Sequence, residues 1–73
     1  MTAHYQSATG LECIDAIEAA LTPEQFEGFL RGNALKYLWR YDKKGSAEID
    51  LIKARDYLTR LQNHLESQHG PTQ

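Results

Sequence analysis

Apolar residues recur at helical spacing in three stretches of the chain. The first is Leu11, Ile14, Ile17 and Leu21, with Cys13 and Ala20 beside them and acids between. This spacing predicts a helix over roughly residues 10–20. Thr9-Gly10-Leu11-Glu12 has the spacing of a capping box, in which the Thr9 hydroxyl accepts from the amide of Glu12. Residues 1–8 read as extended.

The second stretch is longer. Phe26, Phe29, Leu30, Asn33, Ala34, Tyr37, Leu38 and Tyr41 share one face of a helix expected over about 23–43. Thr22-Pro23-Glu24-Gln25 starts it with an N-cap, a proline at the first helical position and a glutamine to close the box. Leu35 and Trp39 form a second apolar pair elsewhere on the circumference. A helix apolar on two sides needs covering on two sides. Gly28 and Gly32 each cost roughly 1 kcal/mol against alanine in a helix; they either permit close helix contact or mark a kink.

Gly45 suits a left-handed position, and Ser46 can cap a third helix over about 47–66. Its Leu51, Ala54, Leu58, Leu61 and Leu65 follow a heptad seam, and Ile49 and Ile52 widen that face. Residues 67–73 contain Gly70-Pro71 and no apolar side chain, so a disordered tail is expected after a single helical domain over 1–66. The expected fold is all-α: a short N-terminal helix followed by a two-helix antiparallel hairpin.

Size adds a constraint. A chain of 73 residues buries only about 60% of its unfolded surface. The single cysteine, Cys13, excludes an internal disulfide and reads as a packed thiol on the apolar side of the first helix. A homo-oligomer is therefore expected, with Leu35 and Trp39 at the interface. With 41% hydrophobic and 25% charged residues, global disorder is not expected. No apolar run is long enough to span a membrane. Met1-Thr2-Ala3-His4-Tyr5 has neither the charge nor the apolar stretch of a secretory signal.

Charge is unevenly placed. Residues 1–30 hold five acids and no Lys or Arg, whereas residues 31–44 hold Arg31, Lys36, Arg40, Lys43 and Lys44 against Asp42 alone. A positive block within a chain of net charge −2 suggests a local anion site rather than a general nucleic-acid surface. Alternatively, the bases complement a helix C-terminus. Motifs for the common chemistries are missing: there is no phosphate loop and no dinucleotide fingerprint. His4, His64 and His69 lack metal-ligand spacing, no metal site is expected, and His64 and His69 read as surface residues. Glu12, Asp15 and Glu18 read as a solvated flank.

One stretch stands out. Asn33, Lys36, Tyr37 and Arg40 lie at i, i+3, i+4 and i+7, on one side of the second helix. Together they offer amide hydrogen bonds, a stacking face and phosphate contacts, with Arg40 able to grip an anion bidentately. Asp50, Lys53 and Tyr57 line up similarly on the third helix. In a hairpin the two stripes can face each other across a shallow cleft. The competing reading is structural: Asn33 satisfies a backbone group and Arg40 pairs with Asp50.

His4-Tyr5, Glu12-Cys13-Ile14-Asp15-Ala16-Ile17, Gly32-Asn33-Ala34-Leu35-Lys36-Tyr37, Arg40-Tyr41, Lys44-Gly45 and Asp50-Leu51-x-Lys53-Ala54-x-x-Tyr57-Leu58 resemble the SaV-like proteins of bacteriophages. The resemblance covers about residues 4–62. That family includes a longer phage kinase that phosphorylates deoxynucleoside monophosphates without a Walker motif. Other members are linked to abortive infection or to capture of nucleotide immune signals. The resemblance implies that His4, Asn33, Lys36, Tyr37, Arg40, Asp50 and Lys53 form a nucleotide site, in which Tyr37 or Tyr57 would stack on the base. It also implies work in the cytoplasm of a bacterial host.

Three functions compete. The first is a protein that binds or sequesters a nucleotide or nucleotide-derived signal, without a cofactor. A nucleoside monophosphate kinase, which alone would require Mg2+, is the second. The third is a helical module that docks on a host protein.

Overall fold

The computed structural model describes residues 12–43 and 45–69. Three helices follow in order among them: α1 (Cys13–Ala20), α2 (Pro23–Arg40) and α3 (Ala47–His69). The expected all-α class holds for this part of the chain. None of these helices is long and apolar enough to cross a membrane.

Helix α1 is the weakest element. Glu12 is extended and makes no side-chain cap bond, so the helix starts at Cys13 rather than near residue 10. The Thr9 capping box lies outside the described residues. No residue of α1 is fully buried. Ile14, Ile17 and Leu21 are half-buried, one stripe at i, i+3 and i+7. Cys13 lies off that stripe and is exposed, which corrects the expectation of a packed thiol.

Helix α2 begins as its sequence dictates. The Gln25 amide N–H donates to Thr22 Oγ1 at 3.2 Å, and the Thr22 amide N–H donates to Gln25 Oε1 at 3.0 Å. Pro23 occupies the first turn. The helix ends at Arg40, three residues earlier than the pattern predicts. There the Lys43 amide bonds the Arg40 carbonyl at 3.0 Å in a tighter turn. Lys43 Nζ donates to the Trp39 carbonyl at 2.7 Å and so satisfies one of the orphaned C-terminal acceptors. Gly45 adopts φ +82°, the left-handed region in which a side chain would be strained. Ser46 Oγ then accepts from the Ile49 amide at 3.3 Å, the expected cap. Helix α3 runs on to His69, past the expected end near residue 66.

Helices α2 and α3 run antiparallel. Arg40, at the end of α2, meets Asp50, near the start of α3. His64, near the end of α3, meets Pro23, at the start of α2. The core between them is thin: Phe26, Leu30 and Ala34 from α2 and Ala54 from α3, with Asp50 and His64 also buried.

The seam of α3 is rotated from the one expected. Ala54, Leu61 and the half-buried Leu65 belong to the expected seam and stay covered, but Asp50, Tyr57 and His64 take inward positions in place of Leu51 and Leu58. Leu51 and Leu58 are left 42% and 46% exposed. The cause is directional bonding. Asp50 pairs with Arg40. Tyr57 stacks on Tyr37 and meets the ring of Phe29 edge-on. His64 Nε2 is 3.1 Å from the Pro23 carbonyl, and its ring meets Phe26 edge-on. These three anchors, one heptad apart, hold a polar or aromatic stripe inward while the leucines stay partly covered. His64 is therefore a core residue and not a surface one.

Candidate functional site

The aromatic and basic stripes of the hairpin meet on its α1 side. Tyr37 of α2 and Tyr57 of α3 stack nearly parallel, with ring centroids 6.0 Å apart. Three cations surround the Tyr37 ring. Lys36 Nζ lies 4.6 Å from its centroid, the Arg40 guanidinium carbon 5.4 Å and Lys53 Nζ 5.8 Å. Each is close enough for an attraction to the π face. Lys36 and Arg40 arrive from α2 because they flank Tyr37 at i−1 and i+3. Lys53 crosses from α3, one turn before Tyr57.

Beside this cluster, α1 and the hairpin enclose an open pocket of about 290 Å³. Glu12, Cys13 and Ile14 form the α1 wall; Tyr37 forms the α2 wall; Lys53, Asp56, Tyr57 and Arg60 form the α3 wall. The volume sits at the lower end of small-molecule sites. Lys53, Tyr57 and Arg60 project to the pocket as successive turns of one helix face. The lining also holds two acids, Glu12 and Asp56, and Asp56 lies 3.8 Å from Arg55 across an exposed contact. An anionic ligand would meet Lys53 and Arg60 at this wall and the tyrosine faces beside them.

The expected site residues come together only in part. Tyr37, Lys53 and Tyr57 line the pocket, and Lys36 and Arg40 border it through the Tyr37 ring. Asp50 does not face the pocket. It is buried, and its Oδ2 accepts from Arg40 Nε at 3.2 Å. His4 lies outside the described residues. Arg60 is the basic residue that pattern reading misses. It stands three residues beyond Tyr57 and seven beyond Lys53, so extending the Lys53–Tyr57 stripe by one turn would have found it.

Asn33 is half-buried, and its Nδ2 donates to the Phe29 carbonyl of its own helix at 2.9 Å. Helical geometry already provides that carbonyl with a partner, the backbone amide four residues on. The side-chain bond is thus a supplement. Asn33→Leu is expected to leave the melting temperature within about 4 °C of wild type or raise it, because no buried group loses its only partner. A thermal melt followed by circular dichroism checks this; a clear fall would make Asn33 a structural clamp.

Among the described residues, no three His, Cys, Asp or Glu side chains come together as a metal site. Every buried side-chain nitrogen and oxygen among them has a hydrogen-bond partner. Leu35 and Trp39 form no part of the pocket; they lie on the side of α2 turned away from α3, 55% and 68% exposed.

Residues 1–59 match the family described as a protein of unknown function, DUF3310, and the chain belongs to that family. It is 39% identical over 64 residues to the nucleotide kinase gp1.7 of Escherichia phage T7, a match covering 84% of this chain and 33% of that protein. It is 36% identical over 64 residues to the gene 1.7 protein of Enterobacteria phage T3, covering 84% of this chain and 39% of that protein. The chain thus spans a third to two-fifths of the length of these phage relatives. No solved structure matches it.

Proposed function

We propose that this chain is a phage nucleotide-binding module of the SaV-like type, which binds or sequesters a nucleotide or nucleotide-derived signal in the cytoplasm of the infected bacterium. The observation that carries the reading is the Tyr37–Tyr57 stack, ringed by Lys36, Lys53 and Arg40 and opening on the pocket beside Arg60. A nucleotide has two recognisable ends, a flat π surface and a phosphate. Aromatic faces receive the first, and paired cations receive the second. In this assignment Lys53 and Arg60 hold phosphate, Tyr37 and Tyr57 supply the stacking surface, and Lys36 adds field strength from α2. Asn33 lies one turn before Tyr37 on α2, with its side chain bonded to the Phe29 carbonyl.

A thermal-shift screen with mono-, di-, tri- and cyclic nucleotides, with and without Mg2+, tests the proposal. A ligand present at about 100 times its Kd stabilises by roughly 2.7 kcal/mol, which for a domain this small raises Tm by on the order of 10 °C. Arg60→Ala and Lys53→Ala are exposed changes that leave the fold intact. Each is expected to weaken binding by about tenfold or more, the size of a lost charge-assisted hydrogen bond. No shift with any nucleotide overturns the proposal.

The similarity to the nucleotide kinase gp1.7 of phage T7 favours a second reading, a nucleoside monophosphate kinase. That reading requires Mg2+ and a phosphate donor as a second nucleotide. Incubating the protein with a nucleoside triphosphate, Mg2+ and a monophosphate separates the two: a binder yields no diphosphate.

A further inference from the structure

Trp39 and Leu35 are the two most exposed large apolar side chains of α2. They share a stripe with Gly28 and Gly32, at spacings of four, three and four residues, on the helix side opposite Phe26, Leu30 and Ala34. Nothing lies within 4 Å of the position a Cβ would occupy at either glycine. Neither glycine has the positive φ that would require one there. Both are therefore helix-weakening residues with no role inside the described fold.

We propose that this face is an interface with a second copy of the chain, in which α2 packs antiparallel on its symmetry mate about a two-fold axis. Self-complementarity singles out the second copy. Gly28 and Trp39 lie equally far on either side of the Asn33–Ala34 peptide bond, and so do Gly32 and Leu35. A two-fold axis at the height of that bond, passing between the two copies, therefore sets Trp39 of each protomer on Gly28 of the other, and Leu35 on Gly32. Large side chains meet bare backbone at all four places, as an isologous interface requires. Charge agrees with this direction. Glu24 and Glu27 lie in the first two turns of α2, ahead of Arg31, whereas its last turns carry Lys36 and Arg40, followed by Lys43. An antiparallel pairing brings the acidic start of the helix to the basic end of its mate and opposes the helix dipoles favourably.

The indole is already held for docking. Lys43 Nζ sits 4.2 Å from the Trp39 ring centroid while bonding the Trp39 carbonyl and Asp42. An anchor fixed before association loses less freedom on binding.

Sedimentation velocity over a concentration series, with fluorescence of the single tryptophan, tests the proposal. A dimer is expected whose formation shifts Trp39 emission to shorter wavelength and shields it from iodide. Gly28→Ala and Gly32→Ala add a methyl that meets nothing within the protomer. Each should raise the helicity and melting temperature of the dissociated chain, yet weaken the dimer by about tenfold or more. This opposition is the signature of the interface, and it keeps misfolding from imitating the result. A monomer at all concentrations overturns the proposal, as does an oligomer in which Trp39 stays open to iodide. A dimer indifferent to both glycine substitutions, or Trp39 protected only by a host protein, overturns it too.

Discussion

Leu30→Ala is expected to leave the chain largely unfolded at 25 °C. Leu30 is fully buried at the centre of the α2–α3 seam. Truncating such a leucine costs about 2–5 kcal/mol, the removed transfer energy plus the cavity left behind. At roughly 0.05–0.15 kcal/mol per residue, a domain of this length has only about 4–11 kcal/mol in all. The thin core, with Phe26, Leu30, Ala34 and Ala54 as its buried apolar residues, places it near the lower bound. The helical circular-dichroism signal should therefore fall by more than half in the variant. Leu35→Ala is the control, because an exposed leucine contributes within about 0.5 kcal/mol to the protomer's own fold. If Leu30→Ala melts within a few degrees of the parent, the hairpin core is not where the stability resides.

The second large effect separates the two arginines. Arg40→Ala should lower the melting temperature by about 10 °C, whereas Arg60→Ala should leave it nearly unchanged. The Asp50 side chain is 3% exposed and Arg40's is 48% exposed. Removing the arginine strands a carboxylate that water barely reaches, at a cost of about 1–3 kcal/mol. For a domain under a hundred residues each kcal/mol moves the midpoint by roughly 4–8 °C. The effect is asymmetric: Asp50→Ala leaves a guanidinium that solvent can hydrate, so it should cost less than Arg40→Ala. In nucleotide titrations the order reverses, with Arg60→Ala losing more affinity than Arg40→Ala, whose Nε is engaged by Asp50. Equal losses of affinity with no change in Tm would instead make Arg40 a pure ligand contact and its bond to Asp50 incidental.

The local chemistry of this fold is legible in the chain itself. Thr22, Pro23 and Gln25 carry the whole instruction for starting α2, because a capping box needs only groups three residues apart. Gly45 and Ser46 likewise specify the turn and the start of α3. The i, i+3, i+4 and i+7 stripes placed Lys36, Tyr37 and Arg40 on one face, and Lys53 with Tyr57 on another. That the two faces would meet followed from a hairpin alone. Tertiary structure decided what depends on partners distant in sequence. Periodicity favoured Leu51 and Leu58, beside Ala54, Leu61 and Leu65, as the inward seam of α3, since spacing reports apolarity and not rotation. The helix is turned instead by bonds reaching ten and forty-one residues along the chain, from Asp50 to Arg40 and from His64 to Pro23. That rotation buries a carboxylate and an imidazole, turns Tyr57 onto Tyr37, and brings Arg60 to the pocket wall. A pattern of hydrophobic spacings contains the faces of each helix; only the directional contacts between helices fix which residue of each face points inward.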